Sequence, residues 1–76
     1  MKMTDTKRIL ATIADHFMLA DEEMESTDDR EMRMIYSIVR ARIYDILEDA
    51  CDGDEGMAEA LLDEAAGRME VFDAFN

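Results

Sequence analysis

The chain has 76 residues, a mass of 8.7 kDa and a formal net charge of −12, from 20 Asp and Glu against 8 Lys and Arg. Hydrophobic residues make up 49%, too many for a disordered acidic tail, and the acidity excludes a basic nucleic-acid binder. One cysteine excludes an internal disulfide and a four-thiolate zinc site, and no apolar run reaches the about 18 residues that a membrane span needs.

Residues 1–8 lead into a short apolar stretch, 9–14, with no clear cleavage site. No signal peptide is expected, and the expected location is cytoplasmic. The first segment reads as a helix over about 5–24, with Thr4 as its cap. Ile9, Ile13, Phe17, Ala20 and Met24 fall on one side, with Leu10 and Ala14 beside them and Leu19 outside the stripe. Glu25, Ser26, Thr27, Asp28 and Asp29 then form a break rich in capping residues.

The second segment reads as a helix over about 29–51. Asp28 with Glu31 three residues on is a variant of the capping box. Met32, Tyr36, Val39, Ile43, Ile46 and Ala50 are spaced in a heptad rhythm, widened by Ile35 and Leu47. That makes this helix the expected spine of the fold. Met34, Ile38 and Ala41 lie nearly opposite the stripe, and Tyr44 also lies off it. Either the helix is sandwiched between the other two, or Met34, Ile38, Ala41 and Tyr44 form a face for a second copy or a partner.

Asp52, Gly53, Asp54, Glu55 and Gly56 make the strongest break, with Gly53 as the stop and Asp54 as the next cap. The third helix is expected over about 55–75, with Ala58, Leu61, Leu62, Ala65, Met69 and Phe72 on one face and Glu59, Asp63 and Glu70 on the other. Gly67 weakens it by about 1 kcal/mol relative to Ala, and would admit close approach of another helix. The expected fold is thus all-α, a small three-helix bundle occupying residues 1–76 as one domain. A domain this small buries only about 60% of its unfolded surface, so homodimerisation is a natural way to complete the core.

No catalytic pattern emerges. His16 is adjacent to Asp15, but adjacent helical positions do not face each other. Cys51 lies at the negative end of a helix, beside acids that raise a thiol pKa. The acidic loop fails as an EF-hand: with Gly53 as the invariant glycine, Ala50 falls at a ligand position. No metal and no cofactor are expected. Eight methionines are read mostly as core filler, with Met34 at an interface. Acyl carrier proteins are similar in size, acidity and helix content, but their Asp-Ser-Leu attachment motif is missing: Ser26 precedes Thr27 and Asp28, and Ser37 sits between Tyr36 and Ile38.

Charge is the informative feature. Residues 21–31 hold seven acids and one Arg, and residues 44–76 hold eleven acids and one Arg. Arg33, Arg40 and Arg42 occupy the stretch between, which has no acid. Asp21/Glu25, Asp45/Asp49, Glu48/Asp52, Glu55/Glu59 and Glu59/Asp63 are like-charge pairs four residues apart, each costing about 0.2–0.5 kcal/mol in a helix. Only Asp29/Arg33 and Glu64/Arg68 are favourable counterparts. Solubility accounts for such a surface; so does a basic partner. The reading that follows is a noncatalytic inhibitor or regulator whose Glu48, Asp49, Asp52, Asp54, Glu55, Glu59 and Asp63 occupy a basic surface of a larger protein, such as a surface that binds nucleic acid. Small phage-type inhibitors, including anti-CRISPR and other DNA-mimic proteins, are analogous in size and charge. No direct contact with nucleic acid or membrane is expected. The alternative is a homodimeric helical adaptor that assembles through apolar helix faces.

Overall fold

The structure is a computed structural model that describes the backbone of residues 3–75 and the side chains of residues 5–71. It is a three-helix bundle: α1 spans Met3–Ser26, α2 Arg30–Ala50 and α3 Glu55–Phe75. Among the described residues no strand forms.

The junctions follow from capping chemistry. α1 already includes Thr4, so that residue is inside the helix and not its cap. At the start of α2 the cap is Asp29, not Asp28: its Oδ1 accepts from the backbone N–H of Glu31 at 2.9 Å and of Met32 at 3.3 Å. Thr27 Oγ1 holds Asp29 in place by accepting its N–H at 3.3 Å. Asp29 wins because only it sits immediately before the first helical residue, where a carboxylate reaches the unpaired amides.

α2 ends in a Schellman motif. The Gly53 N–H donates to the Glu48 carbonyl at 2.8 Å and the Asp52 N–H to the Asp49 carbonyl at 3.1 Å. Asp52 and Gly53 both take positive φ, 56° and 80°. Asp54 then caps α3, its Oδ1 accepting from the Met57 N–H at 3.0 Å.

The packing order differs from the expected one. α1, not α2, is the spine: it packs on both other helices, while α2 and α3 meet each other only sparingly. The core is small, formed by Leu10 and Ala14 of α1, Leu47 and Cys51 at the end of α2, and Ala58, Leu61 and Ala65 of α3. Ile13, Met18 and Leu62 pack around it. Among the described residues, Leu47 is the one large side chain that is fully buried. Phe72 lies outside the residues whose side chains are described.

The heptad stripe of α2 therefore does not serve as its core face. Leu47 and Cys51 are buried, whereas Met32, Ile35, Val39, Ile46 and Ala50 are exposed. At about 100° per residue, the mean direction of Ile35, Val39 and Ile46 is about 120° round the helix from that of Leu47 and Cys51. The physical reason is the break at residues 52–54: α1 can approach α2 where Leu47 and Cys51 face the α3 junction, and that fixes the rotation of the whole helix. Gly67 has nothing within 4 Å of where a Cβ would stand, so the close helix approach that a glycine would admit does not occur there.

Among the described residues, two ion pairs tie the helices. Arg40 of α2 pairs with Asp21 of α1 and lies over the Phe17 ring, 5.9 Å from its centroid. Phe17 in turn meets the Tyr44 ring at 6.1 Å between centroids. Arg68 of α3 reaches Asp15 of α1 at 2.8 Å and the Ala11 carbonyl at 3.4 Å. The sequence pairs Asp29/Arg33 and Glu64/Arg68 are not formed; Arg33 instead donates to the Thr27 carbonyl at 3.0 Å. No described helix is long and apolar enough to cross a membrane.

Candidate functional site

The acidic residues singled out from the sequence occupy the junction of α2 and α3 and the exposed side of α3. Glu48 is half-buried, and Asp49, Asp52, Asp54, Glu55, Glu59 and Asp63 are exposed. Among the described residues, none of these seven carboxylates is in an ion pair. Asp54 is stabilised by the N-terminus of α3 that it caps; the other six have no such relief from a cation among the described residues.

Tyr44 reports how some of them gather. Its phenol is pushed above its ordinary pKa by partial burial, then by the carboxylates of Glu48, Glu55 and Glu59. One carboxylate from α2 and two from α3 therefore act on a single phenol. Cys51 is a second reporter: burial first, then Asp54 and Asp52, raise its thiol pKa. A buried, protonated thiol beside two acids is a poor nucleophile.

His16 is exposed, and its neighbour Asp15 is held by Arg68, so the two do not form an acid–base couple. Among the described residues, no three His, Cys, Asp or Glu side chains come together as metal ligands would.

The four residues expected to share a docking face separate. Met34 and Ile38 are 63% and 57% exposed, and Ala41 is exposed beside them. Tyr44 does not belong to that face; it is half-buried and packs against Phe17, because the side of α2 that meets α1 runs through Tyr44.

A different apolar surface was assigned to the core by its periodicity. Between α1 and α2 lies an open groove of about 460 Å³, lined by Ile13, His16 and Leu19 on one side and Val39, Ile43 and Ile46 on the other. The sequence signal for it was present: apolar residues cover more of α2 than one neighbouring helix can bury. What periodicity could not say is which part stays open.

Compared with known proteins, the chain matches no family, no curated protein and no solved structure.

Proposed function

We propose that this chain is a noncatalytic, cytoplasmic binding protein that presents its acidic junction to a basic, nucleic-acid-binding surface of a larger protein, as an inhibitor or regulator. The observation that carries the reading is the exposure of Asp49, Asp52, Asp54, Glu55, Glu59 and Asp63 on the junction and on α3 with, among the described residues, no cation paired to any of them. Holding like charges together costs free energy, and a cationic partner relieves that cost. Complementary fields also speed association and disfavour partners of the wrong sign. Carboxylates spaced along two helices resemble a row of phosphates, which is the physics shared by DNA-mimic inhibitors such as the phage-type anti-CRISPR proteins. That comparison is one of size and charge.

The test is capture of the partner from the native cell at low and high salt. The triple variant Glu48→Lys, Glu55→Lys, Glu59→Lys serves as control once circular dichroism shows its helices intact. The expected result is retention at low salt, loss at high salt, and loss with the variant. Capture indifferent to both salt and charge reversal removes the reading. A second reading, an assembly module that works through apolar helix faces, is favoured by the exposure of Met34 and Ile38.

A further inference from the structure

We infer that the open groove between α1 and α2 seats an amphipathic helix of another protein, one that carries Lys or Arg on both flanks of its apolar stripe. The groove is separate from the acidic junction, and this inference stands whether or not the junction has a partner.

Spacing is the first argument, and it selects a helix. On the α1 wall Ile13, His16, Ala20 and Glu23 follow one another at intervals of 3, 4 and 3 residues. On the α2 wall Tyr36, Val39, Ile43 and Ile46 follow at the same intervals. Each wall is therefore a heptad seam, the row that a helix in a coiled coil turns toward its partners. The two seams are not spent on each other, because α1 meets α2 through Phe17 and Asp21 against Tyr44 and Arg40. They open outward together, as the seams of two helices do toward a third. α3 does not fill that place: among the described residues none of α3 lines the groove, and Arg68 holds α3 to the Asp15 side of α1. Val39 and Ile46 stay 42% and 55% exposed. At about 1.5 Å per residue the seams run about 15 Å, the length of roughly three helical turns.

Charge is the second argument, and it selects a cationic helix. Glu23 is exposed in the α1 wall itself. Glu31, Arg42 and Asp49 stand on the outer edge of α2, about 60–80° round the helix from Val39. Among the described residues none of these four is in an ion pair. Asp5 and Arg8, nearer the start of α1, offset each other. The border is thus three acids to one cation, with acid on both walls. The other arginines of α2 do not compensate. Arg40 is held by Asp21 and Arg33 by the Thr27 carbonyl, and Arg30 lies on the opposite side of α2 from Val39. Such a border repels a second copy of this chain, whose net charge is −12, and repels nucleic acid and anionic lipid as well. It attracts a helix with cations beside its stripe. Glu23 also sets register: a carboxylate at a seam position favours an occupant with Lys or Arg at the same height.

A synthetic helix tests this. The probe is a labelled peptide of two heptads with Leu at the seam positions and Lys on both flanks, marginally helical alone. Its binding to the intact chain is followed by fluorescence anisotropy at about 0.15 M salt, where exposed charges more than about 8 Å apart are largely screened. The expected result is saturable binding, with helicity gained in circular dichroism. Val39→Ser with Ile46→Ser, which alters no charge, should weaken it about tenfold. Glu23→Lys should weaken it about fivefold, while Glu48→Lys, Glu55→Lys, Glu59→Lys should keep it within about twofold. A counterpart peptide with Glu on both flanks should not bind. A Lys peptide that binds the Val39, Ile46 variant as tightly as the wild-type chain, or that is lost only when the junction is reversed, overturns the inference. A Glu peptide that binds equally well overturns it too. So does a wild-type chain that sediments as a dimer and is dispersed by the Val39 and Ile46 substitutions, because the groove then belongs to a second copy.

Discussion

Tyr44 and Cys51 turn the charge distribution into a pH effect. Both are neutral when protonated, and both have folded pKa values raised above the ordinary 10.0 and 9.0. The folded chain therefore holds these protons more tightly than the unfolded chain. Their contribution to stability is complete below the ordinary values and is lost as pH rises through the folded ones. The urea midpoint should be level through neutrality and fall once pH passes 9.0. Ultraviolet titration in a Tyr36→Phe background should place the Tyr44 phenol above 10.0. Glu55→Gln with Glu59→Gln should bring it down, because two of the charges that raise it are gone. A phenol that does not respond would mean that the carboxylates do not converge there. The raised Cys51 thiol was legible in sequence, because Asp52 and Asp54 adjoin it in the chain; the Tyr44 effect was not, since Tyr44 and Glu59 come together only when α2 and α3 meet.

At the scale of elements, two glycines predict opposite responses. Gly53 is in the left-handed region with open space around it. Gly53→Ala should therefore destabilise by about 1–2 kcal/mol through backbone strain alone. Gly67 is helical, exposed and equally open, so Gly67→Ala should stabilise by about 0.5–1 kcal/mol. Thermal melts of the two variants check both signs. The elements themselves were readable from local chemistry: the sequence spans of about 5–24, 29–51 and 55–75 differ from the observed helices by a residue or two at the ends. The Gly53 stop and the Asp54 cap rest on contacts within a few residues, which is why sequence suffices for them. The exchange of Asp28 for Asp29 as cap shows the limit, since both are acids and only the chain path selects between them.

At the scale of the whole molecule, the core is thin. Among the described residues its buried cluster has seven members, three Ala, one Cys and three Leu, and the molecule measures 41 × 30 × 20 Å. The shortest dimension is close to two helix diameters of about 10 Å, so each helix has a broad open side. Leu47→Ala should cost about 3 kcal/mol, a large share of the roughly 4–11 kcal/mol available to a chain this long. Ile46→Ala, one residue away, should cost less than about 0.5 kcal/mol in dilute solution. Chemical denaturation of both separates the buried position from the exposed one.

Sequence by itself determined that this protein is three helices with an excess of negative charge, because helical periodicity, caps and composition are properties of short stretches of chain. It also showed that the second helix has more apolar surface than a small bundle needs. Tertiary structure decided which helix is central, which carboxylates converge, and which side of α2 remains open. Those outcomes depend on the rotation of each helix about its axis, and that rotation is set by contacts such as Leu47 with the α3 junction, Arg40 with Asp21, and Arg68 with Asp15. The last joins residues 53 positions apart, and no local pattern in the chain encodes it.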